Sequence, residues 1–127
     1  MTAELPGLIY FGLACLAALF QSALAMGAPL GQWTLGGMYP GRLPAPQRAA
    51  AAVQSTLLLA MGMVIAGAAG QVGWEPPRWA VWGTVAINAI SAVGTLVTPS
   101  PQERRLWAPV TLAMLAAAGF VAFVTRG

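Results

Sequence analysis

The chain has 127 residues, of which 58% are hydrophobic and only 7% are charged. Soluble domains carry about 25% charged residues, so this composition excludes an ordinary soluble domain. The net charge of +3 comes from arginine alone, and six scattered arginines are too few for a nucleic-acid-binding surface. The length suits a single domain over residues 1–127.

Four apolar segments are long enough to cross a bilayer, which takes about 20 residues of helix. Their continuous apolar character predicts helices, because the strands of a membrane barrel alternate between apolar and polar residues. None of the four contains Lys, Arg, Asp or Glu. We therefore expect an all-α integral membrane protein, a four-helix transmembrane bundle. Its predicted spans are residues 5–26, 49–69, 79–97 and 106–124.

The first span is predicted to begin near Pro6, because proline suits the first turn of a helix. Residues 23–25 (Ala-Leu-Ala) resemble a signal-peptide cleavage site. The preceding segment carries Glu4 and no basic residue, which is atypical of a signal peptide. We expect this segment to be a retained helix, with Gln21 and Ser22 as polar residues near its end.

Residues 27–48 separate the first two spans and contain five glycines and four prolines. Connections longer than about 12–15 residues are uncommon in small domains and are usually functional or disordered. The large side chains Trp33, Met38, Tyr39 and Leu43 argue against disorder. The sequence from Tyr39 to Arg42 (YPGR) predicts a type II turn. We therefore expect one long structured Gly/Pro-rich loop that lies at the membrane interface.

The third span has the most regular polar pattern in the chain. Its polar residues recur at spacings of 4, 3, 4 and 3, which places them on one face of a helix. Unsatisfied polar groups are costly in hydrocarbon, so this face should contact protein or water. The residues are Thr84, Asn88, Ser91, Thr95 and Thr98.

The sequence Ser-Pro-Gln-Glu at residues 100–103 predicts the start of the fourth helix. Ser100 suits the N-cap, Pro101 the first helical position and Glu103 the third, which together make a capping box. In that motif the glutamate side chain bonds back to the backbone N–H of the N-cap residue.

The arginines predict how the chain is oriented. The end with loop 27–48 carries four of them, and the opposite end carries two and the terminal amine. The positive-inside rule then places the long loop in the cytoplasm and both termini outside. The expected location is the bacterial plasma (inner) membrane. The two sets are Arg42, Arg48, Arg104 and Arg105, and Arg78 and Arg126.

The residue types exclude several kinds of chemistry. The chain has no His, Asp or Lys, and its three acids are Glu4, Glu75 and Glu103, at terminal or loop positions. A His/Cys/carboxylate metal site lacks ligands, a Ser-His-Asp triad is impossible within one chain, and a Walker-type phosphate loop lacks its lysine. We expect no enzymatic activity, no catalytic residue, no metal site and no cofactor.

A first candidate site lies where the polar ends of several helices would converge beneath the loop. We expect a small polar or lipid-like ligand to bind there by hydrogen bonds. The alternative is ordinary hydrogen bonding between helices, worth about 0.6 kcal/mol on average. The predicted ligand-binding residues are Gln21, Gln54, Asn88, Ser91, Thr95, Trp33, Tyr39 and Arg42.

A second candidate site would bind an anionic headgroup. Backbone N–H groups at paired glycines can form an anion-binding nest, and arginines at the same end could hold a phosphate. The alternative is a structural cap whose arginines only set the orientation. The predicted residues are Gly36, Gly37, Arg48, Arg104 and Arg105.

Two runs of sequence carry a family resemblance: GAPLG-x-W-x-L-GG-x-YPGRLP at residues 27–44 and TPS-x-x-ER-x-LWAPV at residues 98–110. They resemble a group of small bacterial four-helix integral membrane proteins of unknown function. The resemblance implies a membrane location and no established activity. The Gly-rich, Arg-containing motif and the phenylalanine pattern of the small four-helix fluoride channels do not appear.

These patterns together predict a non-enzymatic integral membrane protein. It would bind a lipid-like or small polar ligand, or act as a small subunit of a membrane complex. The alternative is an oligomeric channel or transporter for a small neutral solute or anion. The expected partners are membrane lipids and either a partner membrane protein or further copies of the chain, with no nucleic acid.

Overall fold

The computed structural model describes residues 2–125. Over this range it contains four α-helices and no β-strand, as the sequence predicts. By length and composition, each helix could cross a membrane. The all-α, membrane-type architecture is therefore confirmed, whereas Arg126, which the orientation argument uses, lies outside the described residues. The helices are α1 (Glu4–Ala25), α2 (Ala45–Ala68), α3 (Arg78–Val97) and α4 (Pro101–Val124).

The prediction of one long Gly/Pro-rich loop over residues 27–48 is not supported. Residues 45–48 form the first turn of α2, because Pro46 occupies an early helical position where its missing N–H costs nothing. The remaining segment contains two short 3-10 helices, Gly31–Trp33 and Leu35–Gly37. We call residues 26–44 the α1–α2 connection, which is a succession of tight turns.

The α1–α2 connection folds back on itself at Gly31. The Gly31 N–H donates to the carbonyl oxygen of Gly41 at 2.8 Å, and the Gly41 N–H donates to Oε1 of Gln32 at 3.2 Å. A Cβ atom on Gly31 would overlap the carbonyl oxygen of Tyr39. The turn at residues 39–41 therefore packs directly on the Gly31 backbone and requires glycine there.

The four helices form two hairpins. α1 packs along α2, and α3 packs along α4, while α1 and α4 join the two hairpins. α2 and α3 are in much less extensive contact. The end of the bundle nearer the chain termini is solidly filled, because each helix contributes one fully buried large side chain to it. These are Tyr10, Ile65, Val81 and Val121.

Arg78 ties the start of α3 to the end of α4. Its Nη2 donates to the carbonyl oxygen of Ala122 at 2.6 Å, and its Nη1 donates to Oγ1 of Thr125 at 3.2 Å. The last four carbonyl groups of a helix have no partner within the helix. Arg78 therefore supplies a hydrogen bond to the Ala122 carbonyl, which is one of these four.

We expect the substitution Arg78→Ala to lower the free energy of unfolding by about 1–2 kcal/mol, because hydrogen bonds from charged donors contribute about 1.5–3 kcal/mol and Arg78 is only half-buried. Chemical unfolding in detergent micelles, followed by circular dichroism, measures this. Arg105→Ala is the matched control, since Arg105 is exposed and should change stability by less than about 0.5 kcal/mol. Equal losses in the two variants would contradict the role of Arg78.

Candidate ligand-binding cavity

A cavity of about 620 Å³ occupies the half of the bundle nearer the α1–α2 connection. All four helices line it, together with Thr34, Gly36 and Leu43 of that connection. Residues 69–77 form the α2–α3 connection. The lining residues of these two helices come from the N-terminal part of α2 and the C-terminal half of α3, which are the parts farther from this connection. The cavity therefore separates α2 from α3 where the chain does not hold them together. Its volume is typical of small-molecule sites, which occupy about 300–1,000 Å³.

The structure brings five of the eight predicted ligand-binding residues to this cavity. One comes from α1, one from α2 and three from the polar face of α3. The 3- and 4-residue spacing in α3 thus identified a face that borders the cavity. The five residues are Gln21, Gln54, Asn88, Ser91 and Thr95.

Some of the polar groups near the cavity are satisfied by bonds between helices. The hydroxyl groups of Thr95 in α3 and Thr111 in α4 lie 2.8 Å apart, so one donates to the other. Ser22 in α1 and Ser55 in α2 form a similar pair at 2.8 Å, and Ser55 Oγ also donates to the carbonyl oxygen of Ala18. For these residues the interhelical explanation holds.

Asn88 is held in a fixed orientation at the deep end of the cavity. It is only 4% exposed, and its Nδ2 donates at 2.7 Å both to the Tyr10 hydroxyl and to the carbonyl oxygen of Thr84. Both amide hydrogens are therefore used within the protein. No group among residues 2–125 donates to the Asn88 Oδ1, which remains as an acceptor beside the cavity.

Uncharged polar side chains from three different helices also border the cavity without a partner among residues 2–125. Within residues 2–125, no hydrogen bond joins the side chains of Gln21, Gln54 or Ser91 to another group. All three are half-buried and lie in helices suited to a membrane. Since an unpaired amide or hydroxyl is costly in an apolar medium, these groups need water or a polar ligand in the cavity.

The deep end of the cavity is also apolar. Leu58, Met61 and Met114 line it and belong to the main hydrophobic core. Nearer the α1–α2 connection, Trp107 lines the cavity and packs edge-on against Phe20, with ring centroids 4.8 Å apart. The lining thus combines a few unpaired polar groups with apolar walls, as binding sites for small molecules do.

The other three predicted ligand-binding residues lie outside the cavity. Tyr39 is one layer away, and its hydroxyl accepts a hydrogen bond at 3.3 Å from Nε2 of Gln47, which does line the cavity. Arg42 is exposed, and its guanidinium lies beside Gly27. Trp33 lines a separate, smaller groove with residues of α4.

The two glycines predicted to form an anion nest pack against the α3–α4 connection, residues 98–100. Gly36 borders the cavity and lies next to Pro99, and Gly37 lies next to Ser100. The Gly37 N–H donates to the carbonyl oxygen of Thr34 at 2.9 Å, so it is used within the chain. Both glycines have a positive φ, 66° and 75°, which explains why glycine stands at these positions.

The three arginines predicted to hold an anionic headgroup do not point to one place. Arg104 donates from Nη1 to the carbonyl oxygen of Thr98 at 3.1 Å. Arg105 lines the smaller groove with Trp33. Arg48 lies at the start of α2, and its Nε is buried without a hydrogen-bond partner among the described residues. None of the three lines the cavity.

Glu103 lines the cavity although the sequence assigned its side chain to a capping box. The first half of that motif is present, because the Glu103 N–H donates to Oγ of Ser100 at 3.2 Å. The second half is not, because the Ser100 N–H donates to Oγ1 of Thr98 at 3.3 Å. The carboxylate is therefore released from the cap, and the spacing of four between Glu103 and Trp107 was the available signal that both share a face.

Within residues 2–125, no group of three His, Cys, Asp or Glu side chains lies close enough together to hold a metal ion. The described residues that line the cavity offer amides, hydroxyls, one carboxylate and apolar surface. Comparisons of the chain with protein-family models, with curated proteins and with solved structures found no match. Any assignment of function therefore starts from the chemistry of the cavity.

Proposed function

We propose that the protein is a non-enzymatic membrane protein that binds a lipid-like amphiphile or a small polar molecule in the cavity between α2 and α3. One observation carries this proposal. Gln21, Gln54 and Ser91 come from three different helices, border the same cavity and have no hydrogen-bond partner within residues 2–125. Polar groups of a bound molecule would supply the partners that these side chains lack.

The apolar surface of the cavity supports an amphiphilic ligand. Its deep end is formed by Leu58, Met61 and Met114, which have no polar group to offer except a weakly accepting sulfur. A ligand with an apolar body there would place its polar group toward Gln21 and Gln54. Burial of the apolar body would contribute about 25 cal/mol per Å² of surface removed from water.

A channel through a single chain has less support. The half of the bundle beyond Asn88 is filled by Tyr10, Ile65, Val81 and Val121, which are fully buried. None of these four side chains lines the cavity, and they fill the core beyond it, which favours a pocket over a path through the bundle. A pore between several copies of the chain remains the alternative prediction.

The predicted orientation belongs to the same proposal. Arg42, Arg48, Arg104 and Arg105 all lie at the end of the bundle that carries the α1–α2 connection. The positive-inside rule supports a cytoplasmic position for that end in a bacterial plasma membrane. A ligand would then occupy the cytoplasmic half of the bilayer. The role of a small subunit in a membrane complex is compatible with this arrangement.

Filling the cavity tests the proposal. Gly94 in α3 lines the cavity, and a side chain on it would meet open space, so we expect Gly94→Phe to fold and to occupy the site. Gly83→Phe is a matched control, because Gly83 lies on nearly the same face of α3, has equally open surroundings and does not line the cavity. Native mass spectrometry in mild detergent counts the molecules that co-purify with each variant.

The expected result is one bound molecule on the wild type and on Gly83→Phe, and a reduction of at least about tenfold in occupancy on Gly94→Phe, which corresponds to about 1.4 kcal/mol of binding free energy. Equal occupancy on all three proteins, or a bare wild type, would contradict the proposal. Lipid analysis of the same samples identifies the molecule.

A further inference from the structure

Among residues 2–125, Glu103 is the one ionisable side chain that lines the cavity. It is half-buried in the first turn of α4, at the end of the cavity nearer the α1–α2 and α3–α4 connections. The other lining residues are amides, hydroxyls, glycines and apolar side chains. The net charge of the cavity wall is therefore set by this carboxylate, although the protein as a whole is positively charged.

The Glu103 carboxylate has no partner within residues 2–125. In a complete capping box it would accept the Ser100 N–H, but Thr98 accepts that hydrogen bond. The two arginines that follow Glu103 in sequence are turned elsewhere, Arg104 to the carbonyl oxygen of Thr98 and Arg105 to the smaller groove beside Trp33. The carboxylate of this cavity-lining residue is thus left without a hydrogen bond or ion pair among the described residues.

The surroundings of Glu103 suit an apolar cation. Trp107, one helical turn farther along α4, lines the same cavity and supplies an aromatic ring of the kind that attracts cations. The deeper walls are apolar, and the amide oxygens of Gln21 and Gln54 can accept hydrogen bonds. An anionic group would meet the repulsion of the carboxylate, and no arginine within residues 2–125 lines the cavity to offset it.

We propose that the cavity selects ligands in which an apolar body carries a positive charge, such as an amine or quaternary ammonium group, and that the Glu103 carboxylate holds this charge beside Trp107. This inference rests on the proposed function, since it names the ligand class of the same cavity. A charge pair at the edge of an apolar cavity is weakly screened, so Glu103 should dominate discrimination between cations and anions.

Two ions of nearly the same size and opposite charge test the inference. Tetraphenylphosphonium and tetraphenylborate are offered to the purified full chain in nanodiscs of zwitterionic phosphatidylcholine, and binding is measured by equilibrium dialysis with empty nanodiscs subtracted. We expect Glu103→Gln to raise the Kd for the phosphonium about tenfold. The Kd for the borate should stay the same or decrease. Glu103→Asp, which keeps the charge, should retain most of the phosphonium affinity.

The variant is expected to fold, because the cap uses the backbone N–H of Glu103, which glutamine also has. Glu75→Gln, in the α2–α3 connection and exposed, is the control and should change neither Kd. If Gly94→Phe blocks phosphonium binding but Glu103→Gln has no effect, charge selection is wrong and the cavity remains a binding site. If neither ion binds in the cavity, the inference is also wrong, while the molecules counted by native mass spectrometry still decide the proposed function.

Discussion

The substitution Gly31→Ala is expected to lower the free energy of unfolding by about 2–4 kcal/mol. The new Cβ would overlap the carbonyl oxygen of Tyr39 and lie 2.7 Å from that of Gly41. These are backbone atoms, which cannot rotate away as a side chain can. Overpacking costs about 1–3 kcal/mol, and losing the hydrogen bond between Gly31 and Gly41 adds about 1 kcal/mol.

Chemical unfolding of the two proteins in micelles measures this difference. Gly73→Ala is the matched control, because Gly73 lies in the α2–α3 connection and a Cβ there would meet open space. It should shift stability by no more than about 0.5 kcal/mol. We also expect Gly31→Ala to weaken ligand binding, since Thr34, Gly36 and Leu43 of the same connection line the cavity. A Gly31→Ala protein as stable as the control would show that the connection is not closed as described.

The double substitution Gln21→Leu/Gln54→Leu is expected to raise stability and to abolish binding. Neither amide has a partner within residues 2–125. The substitutions therefore break no hydrogen bond within the described protein and remove only contacts with water or ligand in the cavity. An unpaired amide in an apolar environment costs about 1–3 kcal/mol, so the ligand-free double variant should be more stable than the ligand-free wild type by about 1–3 kcal/mol. The same variant should lose the co-purified molecule in native mass spectrometry.

A glutamine that has a partner provides the contrast. Gln71 donates from Nε2 to the carbonyl oxygen of Glu4 at 2.7 Å, so Gln71→Leu should lose stability instead of gaining it. If the double variant is less stable than the wild type, then Gln21 and Gln54 serve packing between helices. The proposed function would lose its principal support in that case.

The position of the cavity was largely predictable from the sequence. The spacing of Asn88, Ser91 and Thr95 defines one helical face, and helical rise places Gln21 and Gln54 at a similar depth in their own helices. Both features follow from local geometry, which a sequence determines directly. What the sequence could not show is which polar groups already have partners within the protein, because that depends on contacts between helices distant in sequence.

The role of Glu103 shows the same limit. Ser100 has one backbone N–H, and the capping box predicted from the sequence assigns it to the Glu103 carboxylate. The structure gives that hydrogen bond to Thr98, and Glu103 is one of the residues that line the cavity. A choice between two local acceptors depends on the backbone angles of the turn, which residue types alone do not determine.

The α1–α2 connection was misjudged for a related reason. Its glycines and prolines correctly indicated turns, and the positive φ of Gly41, 81°, fits the turn predicted for residues 39–42. Proline, however, is equally common in turns and in the first turn of a helix, so the sequence did not separate the end of the connection from the start of α2. Trp33 and Arg42 were predicted to belong to the site, whereas the structure places both outside the cavity. The direction of a side chain in such turns cannot be derived from residue spacing, so the sequence could not show this.

The most direct test of the binding cavity is an experimental structure of the full chain in lipid nanodiscs, purified with its native lipids. We expect α2 and α3 to stand apart at the end nearer the α1–α2 connection. Density for a bound molecule should lie between them, with its polar end against Gln21 and Gln54 and its apolar part toward Met61 and Met114. A structure in which Gln54 and Ser91 contact each other across a closed, dry interface would contradict the binding function.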